Sequence, residues 1–457
     1  MDALTAPSPL IIPPAPRVHA RPVGNLRAIW EMSRNLVGGW CEADYDDLIT
    51  PYVFLGQPGL VVSDPAGVRH VLGAHAHNYR RPGKSARPIR ALVGEGLLLS
   101  EGETWRRQRK ALAPVFTPAA IGALLPHFTA AGAAMARRLE GEARANLAET
   151  FHQAALDAVL RALFSRDADG TGVHLARLAR AYLEGPAHLN LFDFLAKGAD
   201  DLAFGDRARR RLGRQWFAAV DSLIAERRAQ PVADHPDLLG RLLAARDEDG
   251  APLSDVEIRD QCGTMLAAGF ETTSRLLFWA AYLLTLDPET QTRIRAEIAT
   301  CPPERVTGLD DLKAWPLLRS VLMETLRLYP PLPLLAREVV AEDEILGHRV
   351  GPGDFITISP WVIHRHRKLW RQPEVFQPER FIDQPHPWGI DAFIPFGAGP
   401  RVCIGASFAL AEVQIVLASL LERFSIALPA GARPVLPKAG ISLSADHEPD
   451  FDLTPIG

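Results

Sequence analysis

The chain has 457 residues, of which 47% are hydrophobic and 23% charged, a globular composition that argues against a disordered or fibrous protein. Its 50 Lys and Arg residues against 54 Asp and Glu give a net charge of −4, which argues against nucleic acid or an anionic membrane surface as a partner. The 4 cysteines are too sparse for a disulfide framework and show no zinc-type spacing, so we expect a reducing compartment, the cytoplasm.

The N-terminal end is richer in proline than the rest of the chain. We expect residues 1 to 24 to form a proline-rich lead that lies extended along the surface or is partly disordered, and residues 25 to 457 to form one domain. This end lacks the apolar core of a signal peptide. No uninterrupted apolar run approaches the ~18 residues that a membrane span requires, so we expect no membrane span.

A helical region and a hairpin are predicted next. The pattern from Leu26 to Leu48 is helical, and two apolar runs after it, 52–56 and 59–62, predict a β-hairpin with Gln57 and Pro58 in its turn. The hairpin indicates a small sheet near the N-terminus.

A capped helix and an irregular segment come before the first chemical pattern. Asp64 and Pro65 predict the start of a short helix. Residues 80 to 102 are rich in Arg, Gly and Leu with little periodicity, so we interpret them as a long functional loop. The helix after this segment carries Trp105 and Arg109 on one face, where an indole N–H and a guanidinium can bind adjacent carboxylates. A solvated basic face explains this spacing equally well.

One predicted helix is much longer than the others. Helical stretches of mixed quality fill the chain from Pro118 to Arg246. Ser254 and Glu257 then have the spacing of a capping box, and the helical pattern continues to Leu286, where an Asp-Pro pair stops it. About 32 residues correspond to roughly 48 Å, and the middle is almost wholly apolar, so this helix must cross the core.

The centre of the long helix holds residues that suit a buried helix poorly, the run from Ala268 to Thr273. Gly269 permits close approach to the helix backbone, Thr272 can bond to a carbonyl of the preceding turn or release it to hold a water, and Glu271 can supply protons. A helix kink with a satisfied threonine is the structural alternative. Local inconsistency of this kind is expected where function sets the residue.

A later helix, Trp315 to Tyr329, carries Glu324 and Arg327 at i and i+3, where they can pair. Short strands are predicted between this helix and residue 358. His364 and His366 lie in a turn after these strands, and without a third ligand we expect them to be solvated rather than metal-binding.

A glycine-rich loop at residues 396–405 delivers one cysteine just before an apolar helix. Backbone N–H groups of a tight loop and a helix N-terminus both stabilise negative charge on sulfur, and Arg401 adds a cation two residues from Cys403. The loop can therefore present a thiolate ligand to a metal. A buried structural cysteine is the alternative.

The spacing Phe-x-x-Gly-x-Arg-x-Cys-x-Gly from Phe396 to Gly405 resembles the haem-binding loop of the cytochrome P450 family. The Trp-x-x-x-Arg helix, the run at 268–273 and the Glu-x-x-Arg helix resemble three further motifs of that family, in the family's order. The resemblance implies a mainly α fold with a small β region, the cytochrome P450 fold. It implies haem b as cofactor, with Cys403 as its iron ligand, and Trp105, Arg109, Arg337 and Arg401 at its propionates. Phe396 and Gly269 are expected beside the haem.

The resemblance also implies chemistry. Glu271 and Thr272 would deliver protons to iron-bound O2, and Glu324, Arg327 and Arg380 would form a buried triad that steadies the cysteine loop. The implied activity is hydroxylation of a hydrophobic small molecule such as a fatty acid or terpenoid. Electrons are expected from a separate ferredoxin or flavodoxin with its reductase, because no flavin or iron–sulfur domain is recognisable in the chain.

Several alternatives stay open at this stage. The pocket walls expected at 97–99, 266–270, 332–336 and 441–443 are apolar, which favours a neutral substrate. A fatty acid carboxylate could instead bind one of the arginines between residues 80 and 90, namely Arg80, Arg81, Arg87 or Arg90. A basic patch on the Trp105 helix, Arg106, Arg107 and Lys110, is either a docking site or a solvated face. A peroxygenase, an isomerase or dehydratase, and a haem carrier or gas sensor are the rival functions.

Overall fold

The computed structural model describes residues 10–165, 170–183, 185–186, 206–229, 237–247, 250–382 and 389–456. Residues 10 to 24 precede the first helix and are hydrogen-bonded to residues far along the chain. The Tyr329 hydroxyl donates a 2.8 Å hydrogen bond to the Pro14 carbonyl, and the Phe376 N–H donates one of 2.9 Å to the Ile11 carbonyl. This part of the lead therefore lies against the protein.

Helices make up most of the described chain. In order they are α1 (Asn25–Arg34), α2 (Glu42–Asp46), α3 (Pro65–Arg69), α4 (Gly83–Val93), α5 (Gly102–Leu112), α6 (Pro118–Gly122), α7 (Leu125–Arg138), α8 (Leu147–Phe164), α9 (Gly170–Leu183), α10 (Asp206–Ala229), α11 (Leu238–Ala244), α12 (Asp255–Leu286), α13 (Pro288–Thr300), α14 (Pro316–Leu328), α15 (Pro360–Ile363) and α16 (Ala406–Arg423).

The strands form small sheets. They are β1 (Ile49–Phe54), β2 (Gln57–Val62), β3 (Tyr79–Arg80), β4 (Arg144–Asn146), β5 (Leu335–Val339), β6 (Asp343–Ile345), β7 (His348–Val350), β8 (Phe355–Ile358), β9 (Phe424–Ala427), β10 (Pro437–Ala439), β11 (Leu443–Ala445) and β12 (Asp450–Pro455). The largest sheet has the order β1-β2-β8-β5-β3, with β2 and β8 parallel and its other pairs antiparallel. It brings strands from both halves of the sequence together.

The long helix α12 spans the residues predicted for it. The Glu257 N–H donates to Ser254 Oγ at 3.3 Å, and the Ser254 N–H donates to Glu257 Oε2 at 2.9 Å, so the predicted capping box is present. The helix is buried along most of its length and packs against α8, α14 and α16. Trp279 on α12 is fully buried and stacks on Tyr329, with ring centroids 4.1 Å apart. This helix is the axis of the main core.

Three predictions about local structure are wrong. Residues 83–93, predicted as loop, form α4, and the indole of Trp216 on α10 donates to the Leu92 carbonyl at 2.9 Å. Pro58 lies in β2, paired with Val53, and the turn consists of Leu55 and Gly56. Both residues have positive φ, 52° and 81°, as a two-residue hairpin turn of type I′ requires.

The N-terminal helical pattern is also interrupted, because α1 ends at Arg34 and α2 starts only at Glu42. A 3-10 turn, Leu36–Gly38, separates them. Backbone groups of the separating segment bond elsewhere: the His19 N–H donates to the Trp40 carbonyl at 3.0 Å. Tertiary pairing with the N-terminal lead therefore replaces the helix.

One helical stretch in the described residues, Pro118–Arg138, is apolar and long enough to cross a membrane, with a mean hydropathy of 1.4. It contains polar residues such as His127 and Thr129, so it is not an uninterrupted apolar run. Half of its most apolar window is buried inside the protein, and it comprises α6 and α7 with a break between them. A buried core helix meets the same criterion, so the stretch is weak evidence for a membrane segment.

Candidate functional site

The loop before α16 folds tightly around Cys403. The Cys403 N–H donates to the Phe396 carbonyl at 2.9 Å, and the Val402 N–H donates to the Gly399 carbonyl at 3.1 Å. Gly397 and Gly399 have φ values of 75° and 69°, a region that side chains other than glycine rarely adopt. The glycines therefore allow the chain to reverse and to present the cysteine side chain.

The Cys403 side chain is exposed, although protein surrounds its sulfur closely. It therefore faces a recess within the protein rather than the outer surface. Burial raises the pKa of this thiol, while the Gly405 N–H and the charge of Arg109 lower it, with a net increase. The loop and Arg109 therefore favour the thiolate, as their electrostatics predicted, but burial opposes them more strongly. Coordination to a metal cation would favour the thiolate further, because a coordinating thiol loses its proton.

Arg401 does not supply the cation beside the sulfur. Its guanidinium pairs with Glu101, donates to the Ser100 carbonyl at 3.0 Å and lies 4.5 Å from the centroid of the Trp105 ring. The Trp105 ring therefore packs against the guanidinium of Arg401. The positive charge that acts on Cys403 is that of Arg109. Burial lowers the pKa of Arg109 and the nearby Cys403 raises it.

Three arginines converge beside this recess, and one of them was not predicted as a cofactor ligand. Burial, then the positive charges of Arg401 and Arg337, lowers the pKa of Arg81 to about 10. Burial and Arg401 likewise lower the pKa of Arg337 to about 10. Glu101 is the carboxylate that acts on all three. Arg81 Nη1 is buried without a hydrogen-bond partner in the described residues. Such a cluster is incomplete without additional anions.

These donors fit a haem. A sulfur exposed to an internal recess can bind iron, and a cluster of three arginines with one carboxylate can bind the two propionates. Arg337 extends from β5 and Arg109 from α5, so the two lie on different elements. No local motif predicts Arg81, because its role depends on the sheet that places β3 beside β5.

Glu271 is buried in the middle of α12 and is firmly held. Its Oε1 accepts hydrogen bonds from Arg275 Nε at 3.1 Å and from Ser442 Oγ at 3.0 Å, and His152 Nδ1 lies 3.9 Å from Oε2. Arg275 also lies 3.5 Å from Glu448. The carboxylate therefore belongs to a polar network that links α12, α8 and the segment around β11.

The next residue, Thr272, donates from Oγ1 to the Ala268 carbonyl at 2.7 Å. Ala268 is exposed and Thr272 is half-buried, although most of α12 around them is buried. This exposed strip in a core helix indicates an internal cavity. Gly269 has a different neighbour, since a Cβ there would lie 3.1 Å from Val159 on α8. The close approach at Gly269 is thus helix packing in this structure.

A buried acid was missed by the sequence reasoning. Glu412 on α16 is completely buried, and burial raises its pKa well above the usual range, while a hydrogen bond with Thr273 lowers it. Burial therefore favours the neutral form of this carboxyl group. The sequence feature that marks Glu412 is a single acid among mostly apolar residues in the middle of α16.

The predicted triad is assembled behind the cysteine loop. Arg327 makes a two-pronged contact with Glu324, with both N–O distances 2.7 Å, and Arg380 Nε lies 3.1 Å from Glu324 Oε1. Glu324 and Arg327 have no exposed surface. Arg327 also donates to the carbonyls of His364 and Val375 at 2.9 and 2.8 Å. The triad therefore fixes the segment that leads to the cysteine loop.

The expectation that His364 and His366 are solvated is wrong, because both are completely buried. The Ile394 N–H donates to His364 Nε2 at 2.9 Å, which ties this turn to the residues just before the cysteine loop. Arg365 between them stacks on Trp361 at 3.6 Å. The basic turn is therefore a structural element of the core.

The predicted basic patch on α5 is only partly available. Arg107 pairs with Glu257 and lies 3.5 Å from Asp247, so its charge is directed toward α12. Arg106 is exposed and pairs with Glu103 at 2.9 Å.

The chain is similar to known proteins along most of its length. Residues 20–450 match the family model described as Cytochrome P450. The chain is 35% identical over 349 residues to cyclooctat-9-en-7-ol 5-monooxygenase of Streptomyces melanosporofaciens, covering 74% of each. It is 32% identical over 416 residues to Cytochrome P450 4F12 of Homo sapiens, covering 84% of this chain and 78% of that protein. It is 29% identical over 409 residues to Protein LUTEIN DEFICIENT 5, chloroplastic, of Arabidopsis thaliana, covering 84% and 68%.

Proposed function

The chain belongs to the cytochrome P450 family and is a monooxygenase that uses haem, and from this premise we propose that it hydroxylates a neutral, largely hydrocarbon molecule. The observation that carries the proposal is the exposed strip at Ala268 and Thr272 inside the buried helix α12. A cavity beside apolar segments and one hydroxyl suits an apolar substrate whose reacting carbon is held near a proton donor.

The cofactor in this proposal is haem b, held by Cys403 at the iron and by Arg81, Arg337 and Arg401 at the propionates. Arg109 and Trp105 complete the site. When bound, the haem supplies the iron that activates O2, and a thiolate ligand favours O–O cleavage. The protein's own share is to bind, to orient, to exclude water and to move protons.

The apolar walls support a hydrocarbon substrate. Two of the predicted wall segments are hydrogen-bonded to residues near the other two. The Leu97 N–H donates to Gln261 on α12 at 3.0 Å, and the Leu443 N–H donates to the Pro331 carbonyl at 2.9 Å. Leu332 between them is 40% exposed. The similar enzyme of Streptomyces melanosporofaciens is named for a cyclic alcohol that is largely hydrocarbon, which agrees with this substrate class.

The alternative, a fatty acid anchored by an arginine, receives less support. Arg80 pairs with Glu338 at 2.6 Å, and Arg90 pairs with Glu95. Arg81 belongs to the propionate cluster in our proposal. A substrate carboxylate would therefore have to displace an existing partner at Arg80 or Arg90, or reach Arg87, the fourth candidate, which is buried.

Thr272 and Glu271 are proposed to handle the protons. The Thr272 hydroxyl, which now donates to the Ala268 carbonyl, would turn to hold a water molecule in the cavity. Glu271 would pass protons inward from its network with Arg275 and Ser442.

We also propose that the electrons come from a separate ferredoxin or flavodoxin with its reductase, and that the chain acts in the cytoplasm as a soluble, bacterial-type member. The exposed Arg106 offers a positive charge to an acidic partner. The four cysteines are free thiols, as a reducing compartment favours. The 35% identity to a Streptomyces enzyme supports the bacterial class.

Two measurements test the proposal. The reduced haem-loaded protein with carbon monoxide should show the strongly red-shifted Soret band of thiolate ligation, and a histidine-type spectrum would overturn the assignment of Cys403.

A panel of terpenoids and fatty acids should then be screened for a low-spin to high-spin shift. Terpenoid binders should be hydroxylated with NADPH and a surrogate ferredoxin system. Full turnover with peroxide alone, without turnover from the electron-donor system, would favour a peroxygenase.

A further inference from the structure

We propose that His70, His75 and Asp343 form a binding site for a divalent late first-row transition metal such as Zn²⁺, separate from the haem site. Their ligand atoms, His70 Nε2, His75 Nδ1 and Asp343 Oδ2, all lie within 4.8 Å of one another. His70 Nε2 is 2.9 Å and His75 Nδ1 is 3.5 Å from the same carboxylate oxygen. A tetrahedral zinc site has ligand atoms about 3.3 Å apart, so small adjustments suffice.

The local backbone explains how the two histidines meet. The His75 N–H donates to the His70 carbonyl at 2.9 Å, closing a π-turn over five residues. This wide turn places residues i and i+5 above each other, and the two imidazole rings stack with centroids 3.9 Å apart and an angle of 17°. Both rings therefore present a nitrogen to the same point. An ordinary α-helical turn would align i with i+4 instead.

The carboxylate comes from a distant part of the sequence. Asp343 begins β6, and its Oδ1 accepts from the Glu344 N–H at 2.8 Å while the Tyr79 hydroxyl donates to Oδ2 at 2.8 Å. The group is thus held in place from a second strand. The side chains of Asp343 and His70 are 14% and 22% exposed, whereas that of His75 is 47% exposed.

The donor set determines which ions fit. Two imidazoles and one carboxylate, with a fourth position open to water through the exposed side at His75, suit Zn²⁺, Co²⁺, Ni²⁺ or Cu²⁺. Mg²⁺ prefers an octahedron of oxygen atoms and has too few of them here. On binding, the cation would take the position of the proton that one histidine now shares with Asp343.

The test measures binding of Zn²⁺ to the full-length, haem-loaded protein, by equilibrium dialysis with metal analysis. We expect one more equivalent of Zn²⁺ in the unaltered protein than in His75→Ala, and affinity at this site to fall more than about tenfold in Asp343→Asn. His77→Ala is the matched control, because its ring is 6.3 Å from that of His75 and it contributes no atom to the cluster. Excess Mg²⁺ should not displace the ion.

Asp343→Asn keeps an oxygen that can accept the Tyr79 hydrogen bond, so it separates ligation from folding. Haem absorbance and thermal unfolding in each variant establish that the protein is folded. Equal binding of Zn²⁺ by the unaltered protein, His75→Ala and Asp343→Asn would overturn the site. Loss of binding in His77→Ala alone would equally overturn the assignment.

Discussion

Arg275 Nε lies 3.1 Å from Oε1 of Glu271, one turn earlier on α12, and the same oxygen accepts a 3.0 Å hydrogen bond from Ser442. An acid held by two donors keeps a fixed orientation next to Thr272. This arrangement is what a proton donor beside an internal cavity requires, since geometry must be satisfied before acidity matters.

The first prediction concerns this acid. Glu271→Gln retains an oxygen that can accept from Arg275 and Ser442 but cannot take up and release a proton, so we expect product formation to slow by roughly 100-fold. The solvent isotope effect on turnover should rise. Asp255→Asn is the control on the same helix, because Asp255 is exposed and pairs with Arg228. Equal losses in both variants would remove the proton-transfer role of Glu271.

The second prediction concerns Thr272 and the fraction of consumed electrons that is recovered in product, rather than the rate of turnover. Thr272→Ala removes the hydroxyl that can hold a water, so electron consumption should continue while the fraction recovered as hydroxylated product falls severalfold. Thr272→Ser keeps the hydroxyl and should keep most of the coupling. The measurement compares NADPH consumed, peroxide released and product formed. Unchanged coupling in Thr272→Ala would exclude the residue from proton delivery.

The third prediction compares variants of Arg81 with matched variants of its neighbour Arg80. Arg81 is half-buried, with its Nη1 atom fully buried, and lies beside Arg337 and Arg401, whereas Arg80 is exposed and paired with Glu338. If Arg81 binds a haem propionate, Arg81→Gln should speed the transfer of haem from this protein to an acceptor protein about tenfold. The substitution removes the charge-assisted hydrogen bond between the guanidinium and the propionate. Arg80→Gln should lose haem at the original rate. The same rate for both variants would contradict the assignment.

The fourth prediction tests the triad against a surface ion pair. Glu324→Gln leaves two arginines buried without a counter-charge, which should lower the free energy of unfolding by about 3–5 kcal/mol or prevent haem retention. Glu379→Gln breaks the exposed pair with Arg293 and should cost at most about 1 kcal/mol. Denaturant unfolding of both proteins measures the difference. Similar costs would show that the triad is not a special support of the cysteine loop.

The sequence predicted α12 well because its signals are local and agree with each other. A capping box starts it, an apolar pattern continues it and an Asp-Pro pair ends it. The triad was predicted from the resemblance of the Glu-x-x-Arg helix and the downstream Arg380 to motifs of the family, because the spacing of Glu324 and Arg327 on one helix face is a weak signal by itself. These features depend on short spacings and recognisable motifs.

The features that could not be predicted depend on distant parts of the chain. Residues 83–93 carry Pro88 and two arginines, which make a weak helical pattern, and the helix is supported by contacts such as the hydrogen bond from Trp216 to the Leu92 carbonyl. Arg81 becomes part of a cationic cluster only through strand pairing with β5. The burial of His364 likewise results from packing that no local composition indicates.

The buried histidine leads to the last prediction, a pH dependence of stability. Burial, then the charges of Arg327 and Arg365, lowers the pKa of His364 to about 3. The unfolded chain binds this proton near pH 6.5, whereas the folded protein does not until about pH 3, so the contribution of His364 to stability is lost as the pH falls through this window.

At pH 5.5 the loss from His364 should be about 1.4 kcal/mol relative to pH 7.5. His364→Asn can still accept from the Ile394 N–H but has no titratable ring, so its stability should fall less between these pH values, by about that amount. His77→Asn, an exposed control, should keep the original dependence. Denaturant unfolding at both pH values measures the difference. Parallel curves for the unaltered protein and His364→Asn would show that the folded protein binds this proton as readily as the unfolded chain.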